Sequence, residues 1–197
     1  MNVYDTLNRY FKKTKKYMSD DNIKNIYEGI QRLCQRNNID INNLDYLAEG
    51  ESSLVFEYMD KIIKFIPVNR GINLTNYLKD SRLILRPDDE EIVHIKYPMG
   101  FEFDMSIIIT EKLNINNDIT VKQALSFANE LLKDGYVWLD IKPRNLASDI
   151  NGNIKLIDYG ELFNQKYDAE FHNHLQAFHT IYNSILQHNR KRNFFKR

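Results

Sequence analysis

Cysteine is nearly missing from this chain: Cys34 is the only one in 197 residues. That excludes an intrachain disulfide framework and fits a reducing compartment. Four prolines and seven glycines leave no flexible or polyproline linker, and no internal repeat or low-complexity stretch stands out. Long apolar runs are also lacking. The longest aliphatic one, Ile107 to Ile109, is far too short to span a bilayer. The start is polar, with Lys12, Lys13, Lys15 and Lys16 ahead of any apolar run, which is not the layout of a signal peptide. Neither sign of charge dominates, since Lys plus Arg equals Asp plus Glu at 27 each. No general pull toward nucleic acid, membrane or acidic substrates follows. The length suits one packed domain or two small lobes sharing a cleft.

What is present divides by hydrophobic period. Val3, Leu7, Tyr10, Phe11, Tyr17 and Met18 recur at helical spacing. Ile23, Ile26, Tyr27, Ile30, Leu33 and Cys34 do so again, with Asp20 as the expected N-cap. Two amphipathic helices need a surface to cover, in this chain or in another protein. The lysines between them read as a solvated face or an anion contact. From Leu44 the period becomes that of strands: 44–48, 54–58 and 61–66, then 91–97 and 101–110. A helix is expected over 73–85, from Leu74, Tyr77, Leu78, Ser81 and Leu83 to Leu85. Thr120 and Gln123 form a capping-box pair opening a helix that Gly135 closes. Phe171, Leu175, Phe178, Tyr182 and Ile185 give a last helix. His172, His174 and His179 carry no carboxylate or thiol pattern of a metal site.

The most informative stretch runs from Trp138 to Gly160. It reads Trp-Leu-Asp140-Ile-Lys142-Pro143-Arg-Asn145, then a hairpin with Asn151-Gly152 at its turn, then Asp158-Tyr159-Gly160. A type I′ turn is expected at Asn151-Gly152, with strands over 146–150 and 154–157. Such a hairpin returns Asn145 and Asp158 to one end. An amide oxygen beside a carboxylate is a hard-oxygen site for Mg²⁺, which keeps waters and relies on substrate phosphates for its other ligands.

This segment resembles the catalytic and metal-binding loops of protein kinases, H-R-D-x-x-x-x-N followed by D-F-G. Asp140 matches the catalytic Asp, Asn145 and Asp158 the metal-binding pair, and Tyr159 stands for the Phe. Trp138 and Leu139 replace the usual His and Arg, and the missing Arg implies a kinase not switched on by activation-loop phosphorylation. Lys142-Pro143 looks like the serine/threonine type. In the same frame Lys64, in the strand Lys61 to Ile66, matches the lysine on the α and β phosphates of ATP. Glu49-Gly50-Glu51-Ser52-Ser53 matches the phosphate-covering loop, where only Gly50 keeps the G-x-G-x-x-G pattern and Ser52 and Ser53 replace later glycines. Glu111 to Leu113 matches the hinge, whose backbone meets adenine.

The resemblance implies an α+β, bilobal protein-kinase-like fold. Its parts are an N-terminal helical extension (1–43), a five-stranded antiparallel N-lobe (44–113) and a reduced helical C-lobe (114–197). With 161–197 after the metal-binding loop and no A-P-E element, it is similar to minimal kinases of bacterial effectors and DNA viruses. Those act in the cytoplasm, or in that of a host, often with an activating protein partner. The implied reaction moves the γ-phosphoryl of Mg-ATP to a protein hydroxyl. In it Asp140 orients the hydroxyl, Lys142 steadies charge, Asn145 and Asp158 hold Mg²⁺, and Gly50, Ser52, Ser53, Lys64, Glu111 and Leu113 bind ATP. The helix expected over 73–85 has no glutamate to pair with Lys64, and Asp80 is its only acid. A pseudokinase serving as a binding module, and a small-molecule kinase, therefore stand as alternatives.

Overall fold

The structure is a computed structural model, and it describes residues 2–14, 18–49, 53–68, 73–97, 100–115 and 118–194. Gly50 and Ser52 of the expected phosphate loop lie outside the described residues, as do Lys15, Lys16, Tyr17, Pro98 and Met99. The fold is α+β, and the chain divides into two compact units. The first holds 1–78 and 86–112, the second 79–85 and 113–197.

In the first unit, α1 (Val3–Thr14) and α2 (Asp20–Arg36) pack on an antiparallel sheet of β1 (Asp45–Glu49), β2 (Leu54–Tyr58), β3 (Lys61–Val68), β4 (Asp89–Lys96) and β5 (Glu102–Glu111). The strand order is β1-β2-β3-β5-β4. Alternation sorts the faces. Phe56, Ile63, Phe65, Val93, Ile95, Ile107 and Ile109 join Leu7, Phe11, Ile23, Ile26, Ile30 and Leu33 in one buried core. The partner surface that the two helices need is thus the sheet of this same chain. Gly29 sets how closely α2 approaches: a Cβ there would meet Val93 Cγ2 at 2.5 Å and Ile107 Cδ1 at 2.9 Å.

Ion pairs fasten the same contact at its rim. Arg36 meets Glu91 at 2.6 Å and Asp89 at 3.1 Å, and Arg32 meets Glu91 at 2.7 Å. Burial acts to raise the pKa of Asp89 and of Glu91, but the hydrogen bonds from Arg36, with help from Asn37 and Arg32, prevail and lower both. Lys13 bonds Glu49 at 2.9 Å and Lys12 lies 3.4 Å from Asp20, so this part of the lysine cluster is paired with carboxylates. The N-cap of α2 is Ser19 rather than Asp20. Ser19 is extended and its side chain accepts from Asn22 N, while Asp20 lies in the first turn, where a carboxylate favours the helix dipole.

The helix expected over 73–85 is much shorter. α3 spans Leu74–Leu78, because the backbone beyond it has other partners. Leu156 N donates to Leu83 O (2.8 Å), Leu85 N donates to Leu156 O (3.0 Å), and Ser81 Oγ donates to Asp134. Segment 79–85 is thereby built into the second unit, alongside β8 (Ile154–Leu156).

The second unit is organised by α4 (Val121–Lys133), whose capping box forms as read, with Thr120 and Gln123 each bonded to the other's backbone. Gly135 takes φ +83° beyond its end. The chain then enters β6 (Tyr136–Trp138), which pairs with β9 (Leu162–Asn164). β7 (Leu146–Ser148) pairs with β8. α5 (Phe171–Phe194) follows, and its His174 stacks on Phe163 with ring centres 3.5 Å apart. The β7–β8 connection is not the expected type I′ turn. Gly152 alone in that loop has positive φ (+80°). Gly152 N donates to Asp149 O and Asp149 N to Asn153 O, the pattern of a three-residue hairpin loop with glycine in the left-handed position. Asp149 accounts for the difference, since its carboxylate accepts from the backbone N–H of Asn151 and of Asn153. Among the described residues, no helix is long and apolar enough to cross a membrane.

Candidate active site

Asp140, Lys142 and Asn145 come together in the second unit through one short piece of backbone. Lys142 precedes Pro143 and is extended (φ −130°, ψ 134°), as the residue before proline prefers. Pro143 then opens a single 3₁₀ turn to Asn145, its fixed φ suiting that first position. Asn145 N donates to Lys142 O at 3.0 Å. The turn brings the Asn145 side chain back on Asp140, with Nδ2 2.8 Å from Oδ2 and 3.1 Å from the backbone carbonyl. Lys142 Nζ pairs with the other carboxylate oxygen, Oδ1. Asn145 is 6% exposed, while the Asp140 side chain keeps 29% of its surface. Burial works to raise the Asp140 pKa, but hydrogen bonds from Lys142 and Asn145 outweigh it and hold the carboxyl below its usual range.

Asp158 is placed by the hairpin. Leu146 faces Leu156 in the β7–β8 ladder, and Ile157 N donates to Asn145 O at 2.9 Å, continuing the pairing one step further. Asp158 is the next residue. Its Oδ1 accepts from Gly160 N at 3.1 Å, an Asx-type turn. Tyr159 is buried and its hydroxyl donates to Leu85 O; burial, with the charge of Asp158, drives its pKa up. The segment that displaced the expected helix thus carries the acceptor that pins this loop. Both loops share one root, because Trp138 faces Leu162 in β6–β9 and Leu139 N donates to Glu161 O at 3.0 Å.

The donor set suits a hard divalent cation. Asn145 Nδ2 is committed to Asp140, which leaves Oδ1 as the amide oxygen for a ligand, and Asp158 offers a carboxylate. Among the described residues no group of three or more His, Cys, Asp or Glu forms a metal cage. Mg²⁺ held by one or two protein oxygens, water and phosphate needs none.

In the first unit, Lys64 is half-buried on β3 and in register with Val55 on one side and Ile108 on the other. Ile108 in turn faces Glu90 on β4. Lys64, Ile108 and Glu90 therefore form one row on the sheet face opposite the α1–α2 core. The strand expected over 91–97 begins earlier, at Asp89, and Glu90 is the second residue of β4. Its Oε1 accepts from Leu74 N (2.9 Å) and Ser106 Oγ (2.5 Å), and its Oε2 from Thr75 N (3.1 Å) and Thr75 Oγ1 (3.2 Å). Glu90 is thus the side chain that ties α3 to the sheet beside the lysine row. The alternation Ile92, His94, Lys96, carried back to Glu90, was the signal that would have found it.

The other expected nucleotide residues are spread along the sheet edge and beyond. Glu49 faces Leu54, and Ser53 is half-buried next to Leu54. Glu111 ends β5 opposite Lys61 and is exposed. Lys112 N donates to Asp60 O at 2.7 Å and its Nζ to Glu57 at 2.5 Å. Leu113 is half-buried and belongs to the second unit. Asp80, the only acid of the expected helix, lies in the turn after α3 and in the second unit.

No protein-family model matches the chain, and no curated protein compared with it matches. Solved structures do. The LegK7 effector kinase of Legionella pneumophila aligns over 83% of this chain and 48% of its own, with 16% identity and a TM-score of 0.43. WbdD bound to the kinase inhibitor LY294002 aligns over 71% of this chain and 37% of its own, with 17% identity and a TM-score of 0.36. A further WbdD structure, described as a bifunctional kinase-methyltransferase, covers 68% and 35%, with 18% identity and a TM-score of 0.33. The chain thus spans less than half the length of each of these proteins.

Proposed function

We propose that the chain is an ATP-dependent serine/threonine protein kinase that transfers the γ-phosphoryl of Mg-ATP to a protein hydroxyl. In this reading it is activated by a protein partner rather than by activation-loop phosphorylation. The observation that carries the reading is the Asp140–Lys142–Asn145 cluster, with Asp158 on the loop whose backbone joins Asn145. An ionised carboxylate between an ammonium and an amide is oriented to accept a hydrogen bond from an incoming hydroxyl and, as transfer proceeds, its proton. Lys142 offsets the charge that spreads over the transferred group. Asn145 Oδ1 and the Asp158 carboxylate are the oxygens that hold the cation, and Lys64 is the cation for the α and β phosphates. Held by Asn145 and Asp158, Mg²⁺ would supply positive charge against the phosphoryl group being transferred. Ser53, with Gly50 and Ser52, covers the phosphates, and the backbone at Glu111 and Leu113 meets the base.

A specific observation favours the second reading, a pseudokinase acting as a protein-binding module. α3 carries no acid, and both oxygens of Glu90 already accept from α3 and Ser106. A carboxylate can accept at about four lone-pair positions, so Glu90 is already filled while α3 stays docked and serves to hold that helix on the sheet. The experiment is transfer of radiolabel from [γ-³²P]ATP with Mg²⁺ to a panel of generic protein substrates and to the chain itself, wild type against Asp140→Ala. Label incorporated by the wild type and lost in the variant supports the kinase. Equal incorporation by both contradicts the role given to Asp140, and none by either with candidate partners present, while Mg-ATP still binds, supports the binding module.

A further inference from the structure

The balance of charge over the whole chain hides its distribution. All 27 acidic residues lie within 1–170, and 171–197 holds none. Five of the 27 basic residues, Arg190, Lys191, Arg192, Lys196 and Arg197, fall in that last stretch, leaving 22 for the rest. The chain is therefore a body of formal charge −5 joined to a run of +5. A solvated helix face mixes both signs, whereas this run has one sign only. It also encloses Phe194 and Phe195, apolar rings that solvation does not call for.

α5 carries the run past the surface on which it packs. The helix is docked by its first part: Phe178 is buried, His174 stacks on Phe163, and Tyr182 Oη accepts from Asn129 Nδ2 of α4 at 2.6 Å. Its apolar stripe ends with Ile185 and Leu186, both half-buried, and Gln187 and His188 are exposed. No aliphatic residue follows. The helix nevertheless continues to Phe194, which sets Arg190 about 12 Å along the axis from Tyr182 at about 1.5 Å per residue. Phe195, Lys196 and Arg197 extend the run in sequence, outside the described residues.

We propose that residues 190–197, at the far end of α5, form an attachment site for an anionic membrane surface. The Lys and Arg side chains meet the acidic lipid headgroups, while Phe194 and Phe195 enter the boundary between headgroups and acyl chains. The phenyl rings favour a bilayer over a nucleic acid, because they bring apolar area with no hydrogen-bonding group. The same surface repels a body of net negative charge. A helical spacer longer than the Debye length, about 8 Å at physiological salt, holds that body clear. The inference does not depend on the kinase reading.

The test is co-sedimentation of the full chain with sucrose-loaded phosphatidylcholine vesicles, with and without about 30% phosphatidylserine to give a negative surface potential. At about 0.1 M salt the wild type is expected to pellet with the anionic vesicles only. It is expected to be released at about 1 M salt, where the Debye length falls from about 10 Å to about 3 Å. Each basic residue near such a surface contributes roughly fivefold in affinity. Arg190→Gln, Lys191→Gln and Arg192→Gln together are therefore expected to weaken binding roughly 10²-fold. Phe194→Ala with Phe195→Ala is expected to weaken it roughly fivefold while keeping its salt dependence. Both variants are expected to melt at the wild-type temperature. Neutral vesicles bound as strongly as anionic ones, or neither bound, would overturn the inference. So would a triple variant that binds like the wild type, or one that melts lower, which would place the run against the chain's own acidic body. A short DNA duplex or single-stranded RNA held more tightly than anionic vesicles at the same salt would overturn it as well, assigning the run to nucleic acid.

Discussion

The side-chain amide of Asn145 is hydrogen-bonded to Asp140 twice, at 2.8 Å to the carboxylate and at 3.1 Å to the backbone carbonyl. A residue five positions downstream thus fixes both the place of the acid and the way it points, and in the proposed function its own Oδ1 would face the cation. Asn145→Ala removes both bonds and leaves a small void, since the residue is 6% exposed. The variant is expected to lose about 1–2 kcal/mol of stability and Mg-ATP affinity besides, measured by urea unfolding and by calorimetric titration. Asp140→Asn keeps the shape and is expected to spare binding while lowering turnover by roughly 10²–10⁴-fold, the range for loss of one acid–base group.

The pH dependence of turnover follows from the direction in which Asp140 is shifted. Burial alone would raise its pKa, but Lys142 and Asn145 outweigh burial and lower it. The carboxylate is therefore charged at every pH above the ordinary aspartate value of about 4. Its protonation limits turnover only below that. The acid limb of the kcat profile is expected to move upward in Lys142→Met, which removes the larger of the two opposing hydrogen bonds. A limb unmoved by that change would assign it to another group.

Acid should loosen the α2–β4 rim. Asp89 and Glu91 both have lowered pKa values in the folded chain, so the stability they contribute is present above the unfolded-state values of about 4. It is lost as pH falls through the folded ones. Arg36 is 44% exposed, so solvent screening keeps each pair to about 1 kcal/mol or less. Arg36→Gln is expected to flatten the fall in melting temperature between pH 6 and pH 3, as followed by circular dichroism at about 0.1 M salt, where the Debye length is about 10 Å.

Gly29 offers a test of packing that leaves the site alone. Its absent Cβ would lie 2.5 Å from Val93 and 2.9 Å from Ile107, so Gly29→Ala forces either the side chains or α2 to shift. The expected cost is about 1–3 kcal/mol, as for overpacked cores, read as a lower urea midpoint with an unchanged slope. Mg-ATP affinity is expected to stay within error of the wild type.

How much of this was legible in the sequence depends on how local each feature is. Leu54–Tyr58 was bounded correctly because alternation and both turns lie within the segment. The Thr120–Gln123 box was equally local, and the Asp140-to-Asn145 spacing carries its own turn through Pro143. The failures are non-local. Nothing between Asn73 and Leu85 reveals that Leu83 and Leu85 bond to Leu156, so a helical stripe was extended past Leu78. The pairing of Trp138 with Leu162 spans three residues a side, too short for any period to show. Glu90 falls just outside the strand expected over 91–97, and its partners Leu74, Thr75 and Ser106 are 15 or 16 positions away. Asp149, four residues before Asn153, overrode the Asn-Gly signal by supplying the acceptor that a type I turn uses.

The account is tested most directly by isothermal titration of ATP into the protein with Mg²⁺ and with EDTA, comparing wild type, Asp140→Ala, Asn145→Ala and Asp158→Ala. Wild type and Asp140→Ala are expected to bind ATP with a clear requirement for Mg²⁺, which Asn145→Ala weakens and Asp158→Ala abolishes. Equal ATP affinity with and without Mg²⁺ in the wild type, or an Asp158→Ala protein that keeps the Mg²⁺ requirement, would contradict it.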